Sequence, residues 1–306
     1  MSVAVQVSPI PRGRIQTLLR DYAELTKMRV TTLIVMTAWC GFYFGALKNG
    51  VSSLSSSLLH ALLGIFLVSA GTAALNEVME YDVDARMRRT ADRPLPSGRM
   101  SLMHGTIAGV LLTVGGAFYL AMAANALTGL LALATAFLYL AAYTPLKRVH
   151  PVCTFVGAIP GAMPGVLGWV AARGRLEWGA LVMFAIVFFW QFPHFYSIAW
   201  LYREDYAAGN IRMLPAIEED GRRILLYSLG LIPISIAPTI LGMSGTVYAF
   251  GAVAMGIAYC YFGARLARVG LPMNAPQSKQ RARQLLRASI IYLPLLFALM
   301  MINGVK

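Results

Sequence analysis

The chain alternates between long apolar segments and shorter polar ones, and this pattern predicts its architecture. Nine apolar runs are each close to the ~17–25 residues that a helix needs to cross a bilayer. We therefore predict an all-α fold: a polytopic membrane protein that is a bundle of nine transmembrane helices with a central cavity, forming a single domain over 30–303. The predicted spans are approximately 30–47, 57–78, 104–123, 127–146, 152–172, 177–200, 224–242, 246–264 and 285–303.

A shorter periodic pattern precedes the first span. Between Arg14 and Arg29, apolar residues recur at helical spacing, which is typical of an amphipathic helix lying at a membrane interface. We predict a cytoplasmic N-terminal segment over 1–29 that contains this helix. Its apolar positions are Ile15, Leu18, Leu19, Tyr22, Leu25 and Met28.

The fifth apolar run is interrupted by Pro160 and Pro164. Proline inside a span is tolerated where neighbouring helices satisfy the backbone groups that it frees. This pattern predicts a kinked span packed inside the bundle.

Composition and charge support a membrane protein. Hydrophobic residues make up 58% of the chain and charged residues 13%, whereas soluble domains have roughly half apolar and a quarter charged residues. The net charge of +13 arises mostly from topology: with the N-terminus in the cytoplasm, 22 of the 26 Lys and Arg residues fall on the cytoplasmic side. This distribution argues against a nucleic-acid partner. The three cysteines lie far apart in apolar runs, as buried small hydrophobic residues do.

Acidic residues are scarce and concentrated. Ten of the thirteen fall in two polar loops or at the edge of the first, and these loops follow the second and sixth spans on the predicted cytoplasmic side. Each loop is acidic first and basic afterwards, a faint internal repeat that favours two related halves bringing the loops face to face.

The first loop begins with a polar stripe. Asn76, Glu80 and Asp84 are four residues apart, so on a helix they share one face. Oxygen side chains of this kind suit Mg²⁺, which binds through one or two carboxylates plus substrate phosphates. Glu204 and Asp205 of the second loop are candidate ligands from the opposite side. Six basic residues on the same side are candidates for binding phosphate oxygens: Arg88, Arg89, Arg93, Lys147, Arg148 and Arg203.

A plainer interpretation treats these groups as solvated juxtamembrane charges that pair with one another. It weakens because a chain with few acids places most of them on one side of the membrane. His194, near the end of the sixth span, is equally open to two interpretations. A lone histidine there is usually a packed, hydrogen-bonded side chain, but the surrounding aromatic residues and Pro193 favour a pocket for a flat ring.

The first motif resembles a family signature. Asn76-x3-Glu80-x3-Asp84 is similar to the N-x-x-x-D-x-x-x-D pattern of the UbiA superfamily of intramembrane prenyltransferases. Stretches 25–30, 87–95, 143–148, 157–169, 193–206 and 213–215 narrow the resemblance to the branch that farnesylates protohaem IX. Three departures are Glu80, where the superfamily usually has Asp; Gly209, where a second D-x-x-x-D motif would place its second acid; and Met28, which replaces a common Pro.

The resemblance implies a reaction and a set of roles. A prenyltransferase of this branch joins farnesyl diphosphate to a vinyl group of haem b, giving haem O and diphosphate, with Mg²⁺ as cofactor. It implies a bacterial cell (inner) membrane location with cytoplasmic active-site loops, and it leaves open haem A synthase and terminal oxidase assembly factors as partners. The implied roles are catalysis for Asp84, Arg93 and Lys147; metal binding for Asn76, Glu80, Asp84, Glu204 and Asp205; diphosphate binding for Arg88, Arg89, Arg93, Lys147, Arg148 and Arg203; and haem contact for His194.

Two alternatives follow from the same residues. A UbiA-type prenyltransferase acting on an aromatic quinone precursor would share the first motif, but the stretches around Tyr143 and His194 argue against it. A cation-coupled transporter would use carboxylates as an ion path, and for that we expect acids in mid-span. The predicted spans are almost free of them.

Overall fold

The structure is a computed structural model that describes residues 13–48, 50, 54–213, 217–268 and 275–305. The described part of the chain is helical, with one isolated β-bridge between Ser244 and Gly304. The helices are α1 (Arg14–Leu25), α2 (Met28–Lys48), α3 (Ser56–Met79), α4 (Tyr81–Asp84), α5 (Leu102–Ala123), α6 (Ala126–Phe137), a π-helix (Leu138–Tyr143), α7 (Thr144–Leu146), α8 (Cys153–Arg173), α9 (Trp178–Leu201), α10 (Arg203–Ala208), α11 (Ile217–Ile240), α12 (Thr246–Ala267) and α13 (Pro276–Ile302).

The predicted spans are confirmed. Within the described residues, nine helical stretches are long and apolar enough to cross a membrane, and they match the nine predicted runs in order. The last helix begins at Pro276 rather than near 285, because its first turns are polar and continue the helix beyond the apolar run. The chain is therefore a multi-pass membrane protein.

Helix α8 lies at the centre of the bundle, as the sequence predicts. It is continuous from Cys153 to Arg173, and both Pro160 and Pro164 are buried. Its glycines allow α2 to approach closely: a Cβ at Gly168 would overlap the Ala38 carbonyl oxygen. Small residues at such crossings let membrane helices pack backbone against backbone.

The fourth span changes helical form before it ends. After α6, residues Leu138–Tyr143 are π-helical, and α7 follows directly. A π-helical turn holds an extra residue, which rotates the residues that follow it around the helix axis. Beyond this turn Thr144 and Lys147 are buried and reach the end of α3.

Helix α1 leaves Ile15, Leu18 and Leu19 exposed, as expected of the predicted interfacial helix. Residues 1–12 of that predicted segment lie outside the described part. The other face of α1 is tied to the loop after α4: Arg99 forms ion pairs with Asp21 at 2.9 Å and with Glu24 at 2.7 Å. Helix α1 therefore helps to position that loop.

Candidate active site

Asn76, Glu80 and Asp84, the polar stripe, stay on one face although their helix is interrupted. Helix α3 ends at Met79 and α4 starts at Tyr81, with Glu80 between them. The backbone N–H of Glu80 still donates to the Asn76 carbonyl at 3.0 Å, and that of Asp84 donates to the Glu80 carbonyl at 2.7 Å. Because the four-residue hydrogen bonds continue, the three side chains stay on one face, where all of them are buried.

Each side chain of the stripe contacts a cation from a different part of the chain. Lys27 Nζ donates to Asn76 Oδ1, and Arg93 Nη1 donates to Asp84 Oδ2. Glu80 is bound by Lys147 Nζ at 2.9 and 3.0 Å, and it also accepts from Asn76 Nδ2 at 2.9 Å. Buried charges are stable only when paired and hydrogen-bonded, and this arrangement satisfies that requirement. The residues involved are Lys27, Asn76, Glu80, Asp84, Arg93 and Lys147, hereafter the polar cluster.

Lys147 lies in an aromatic cage. Its Nζ is 4.5 Å from the Tyr143 ring centroid and 5.9 Å from that of Tyr139. Burial disfavours its charged form, yet the interactions with Tyr143, Tyr139 and Glu80 outweigh burial and raise the pKa of Lys147. Likewise burial acts to raise the pKa of Glu80, but Lys147, Lys27 and the hydrogen bonds lower it. The pair is therefore ionised at neutral pH.

Lys27 is a member of the cluster that the sequence analysis did not assign to the site. It occupies the break between α1 and α2 with φ of +47°, a left-handed conformation that is unusual for a residue with a Cβ. Burial, with the nearby Arg93 and Lys147, lowers the pKa of Lys27 to about 7. The available signal was its position, since Lys27 lies three residues before the first apolar run.

Glu77 is a second buried acid that the sequence analysis did not assign. It is fully buried beside Asn76, and its Oε1 accepts a hydrogen bond from the Leu95 backbone N–H at 3.2 Å. Arg93 lies two residues before Leu95. Glu77 therefore anchors the loop that brings Arg93 to Asp84.

The two acidic loops meet, as the sequence predicts. The Arg89 guanidinium lies 5.3 Å from the Tyr202 ring centroid, and Gly209 packs against Val83 and Met87. The second loop also reaches the end of the fourth span, where the Arg212 N–H donates to the Lys147 carbonyl at 2.7 Å.

The acids of the second loop are placed differently from those of the first. The Glu204 side chain is 68% exposed and pairs with Lys279 at 3.3 Å. Asp205 is half-buried on α10. Among the described residues, no three His, Cys, Asp or Glu side chains are grouped as a metal site, so metal binding by Glu204 and Asp205 stays a prediction.

The remaining predicted phosphate-binding arginines lie around the polar cluster or outside it. Arg148 donates to Asp82 at 2.8 Å on the protein surface, and Arg88 is exposed. Arg203 is half-buried at the start of α10. Their contact with diphosphate stays a prediction, as does the predicted central cavity. Two surface cavities beside Lys48 lie at the other end of α2.

His194 is held by an aromatic and a polar contact. Its ring stacks on Trp190, with centroids 4.8 Å apart and planes inclined by 20°. Its Nδ1 lies 2.7 Å from Ser289 Oγ on α13. The face of α9 around it is rich in aromatic contacts, among them Phe192 stacked on Tyr227 at 3.8 Å.

The bundle of apolar helices buries a cluster of acids and cations at the end of its second span, an arrangement that suits an intramembrane enzyme acting on a charged substrate. The sequence model of the UbiA prenyltransferase family matches residues 34–290, and the chain belongs to this family and is a prenyltransferase. Its relatives place it, within that family, among the protoheme IX farnesyltransferases.

Those relatives match along nearly the whole chain. The protoheme IX farnesyltransferase of Koribacter versatilis is 55% identical over 99% of both chains. That of Solibacter usitatus is 44% identical over 93% of this chain and 99% of its own. The mitochondrial protoheme IX farnesyltransferase of Arabidopsis thaliana is 32% identical over 94% of this chain and 65% of its own.

Solved structures share the fold at low sequence identity. A digeranylgeranylglyceryl phosphate synthase superposes with a TM-score of 0.74 at 17% identity, covering 93% of this chain and 98% of the other. A UbiA homologue from Archaeoglobus fulgidus, bound to DMAPP and Mg²⁺, gives a TM-score of 0.64 at 19% identity, covering 92% and 99%. These likenesses establish the helical architecture.

Proposed function

We propose that this protein transfers the farnesyl group of farnesyl diphosphate to a vinyl group of protohaem IX, making haem O. The allylic C–O bond to diphosphate breaks, and a new C–C bond forms to the vinyl carbon. Water adds to the resulting cation and loses a proton, which gives the hydroxyethylfarnesyl side chain. The names of the full-length relatives support the substrates, and the polar cluster, with three oxygen side chains each bound to a cation, carries the proposal.

The donor atoms of the cluster fit Mg²⁺. Asn76, Glu80 and Asp84 offer one amide and two carboxylate groups on one face, all buried. Mg²⁺ prefers oxygen ligands, and it uses one or two carboxylates together with substrate phosphates. When bound, the ion supplies positive charge that makes diphosphate a better leaving group. Asp205 is proposed as a ligand from the second loop, and Glu204 as a weaker one because it is exposed and paired.

The cations of the cluster are proposed to bind the diphosphate. Lys147 and Arg93 each hold a carboxylate of the stripe, so their charges lie beside the proposed metal ligands. Arg93 can present a forked pair of N–H groups, whereas Lys147 acts as a point charge. Arg88, Arg89, Arg148 and Arg203 are proposed to attract the anion at the rim of the site.

Placement in the membrane completes the proposal. The helices exclude water from the reacting centre, which protects an allylic cation until the vinyl carbon reaches it. The distribution of Lys and Arg supports an orientation with the N-terminus and the acidic loops in the cytoplasm, and the inner membrane is the proposed location. Haem A synthase and terminal oxidase assembly factors are proposed partners.

The experiment supplies membranes containing the protein with farnesyl diphosphate, Mg²⁺ and either haem b or 4-hydroxybenzoate. We expect haem O by mass spectrometry and no prenylated hydroxybenzoate. Prenylated hydroxybenzoate without haem O would instead identify the quinone-type enzyme.

A matched pair of variants ties the activity to the polar cluster. Asp84→Asn removes the charge of a buried stripe residue, and Asp82→Asn makes the same change at an exposed residue of the same short helix. We expect the first to lower kcat about 100-fold or more, by analogy with the loss of other electrostatic groups, and the second to have little effect. Equal effects of the two changes would contradict the proposed site.

A further inference from the structure

Ser289 holds both rings of the His194–Trp190 pair. Its hydroxyl oxygen lies 2.7 Å from His194 Nδ1, and its backbone carbonyl accepts the Trp190 indole N–H at 2.9 Å. The Ser289 side chain is fully buried on α13, whereas both rings belong to α9. One residue of the neighbouring helix therefore sets the orientation of two stacked rings.

A third contact fixes the direction of the hydrogen bond to His194. Ser289 Oγ lies 2.6 Å from the Leu286 carbonyl, which can only accept. A hydroxyl has one hydrogen and two lone pairs. Because that hydrogen is donated to Leu286, the oxygen must accept from His194, so the imidazole proton is on Nδ1. No hydrogen bond to Nε2 is formed within the described part of the chain.

We propose that Ser289 is a positioning residue for the substrate haem: it locks His194 in the Nδ1–H tautomer and so presents the Nε2 lone pair to the haem iron. A neutral imidazole binds iron through one nitrogen while the other donates to an acceptor that fixes the ring and strengthens the ligand. His194 lies seven residues before the end of α9, about 10 Å along the helix. This places the iron contact deeper in the membrane than the second acidic loop, while Trp190 supports the ring from one face.

The inference rests on the proposed function, because haem must be the substrate. The test uses the full-length protein in lipid nanodiscs with haem b, and it records haem affinity, the Soret band and the iron–histidine stretching frequency of ferrous haem. That frequency reports the Nδ1–H hydrogen bond, which a general structural defect would not change selectively. The KM values for haem and farnesyl diphosphate are measured beside it.

Ser289→Ala is expected to weaken haem affinity about 10- to 100-fold, the usual effect of losing a group that supports a metal ligand. It should lower the iron–histidine frequency and raise the KM for haem while the KM for farnesyl diphosphate stays constant. Ser289→Cys, nearly isosteric but a weak acceptor, should behave similarly, and Ser289→Thr should restore much of the wild-type behaviour. His194→Ala should abolish the histidine signal.

Ser235→Ala is the matched control, because it removes a buried serine that contacts the Tyr292 hydroxyl rather than His194. An unchanged iron–histidine signal in both Ser289→Ala and Ser289→Cys would overturn the positioning role, as would a wild-type signal in His194→Ala. Haem O formation by the wild-type protein separates the two proposals. If the wild type makes haem O and the Ser289 variants have the same iron–histidine frequency and haem affinity as the wild type, only the positioning role fails.

Discussion

Lys147 donates to both carboxylate oxygens of Glu80, at 2.9 and 3.0 Å, across a separation of 67 residues in sequence. Glu80 is one of the residues at which the sequence departs from the pattern that its first motif resembles, which usually has Asp there. The Glu80 carboxylate contacts Lys147 and Asn76 together. Its partner, Lys147, lies directly after the fourth span.

Breaking this pair is expected to be costly. Lys147→Met leaves the buried Glu80 carboxylate without its main partner, which should lower the free energy of unfolding by about 3 kcal/mol and abolish farnesyl transfer. The double variant Glu80→Gln/Lys147→Met removes both charges and should recover most of the stability without recovering activity. Thermal unfolding in detergent and a haem O assay measure the two effects. Additive losses of stability would show that the residues do not interact.

The two acids of the second loop should differ in effect. Asp205 is half-buried, whereas Glu204 is exposed and pairs with Lys279 at the surface. We expect Asp205→Asn to raise the Mg²⁺ concentration needed for half-maximal activity several-fold more than Glu204→Gln does. A titration of Mg²⁺ at saturating farnesyl diphosphate measures this. The reverse order would assign the ligand role to Glu204.

A pH effect is expected at the other end of the bundle. Glu177 accepts hydrogen bonds from Arg173, Arg175 and Trp169, and the Arg173 bond, against a smaller effect of burial, lowers its pKa to about 2. The pKa of Glu177 is thus lower in the folded state than in the unfolded state, where it is near 4.5, so the ionised carboxylate stabilises the folded state. This stabilisation is complete above pH 4.5 and is lost as the pH falls to about 2.

The measurement compares wild type with Glu177→Gln by thermal unfolding in detergent between pH 6 and 2, a range chosen to bracket both of those pKa values. The variant should be less stable at pH 6, and the difference should shrink as the pH falls. A difference that is constant with pH would exclude titration of Glu177 as its cause.

Close packing of α2 and α8 gives a further pair of variants. Gly168→Ala places a Cβ against the Ala38 carbonyl, so the helices must separate, at a cost of about 1–3 kcal/mol. Gly115→Ala on α5 meets no neighbouring atom and should be neutral or stabilising by about 0.5–1 kcal/mol, since alanine favours the helix. Unfolding midpoints of both variants test this. Equal midpoints would contradict the tight crossing.

The apolar pattern alone determined that the chain is a nine-span helical membrane protein, and the four-residue spacing determined that Asn76, Glu80 and Asp84 share a face. Both follow from local rules: a span must bury its backbone hydrogen bonds, and a helix repeats every ~3.6 residues. The concentration of acids in two loops similarly predicted that the loops meet, which they do at Arg89 and Tyr202.

Only the tertiary structure decided which charges pair. Three contacts depend on how separate spans pack and where each one ends. Lys27 binds Asn76, Glu77 accepts a hydrogen bond from Leu95, and Glu204 pairs with Lys279 at the surface. The π-helical turn that brings Thr144 and Lys147 to the stripe leaves no periodic trace in an apolar segment. Such contacts join residues distant in sequence, so they are set by the packing of whole helices, about which local periodicity carries no information.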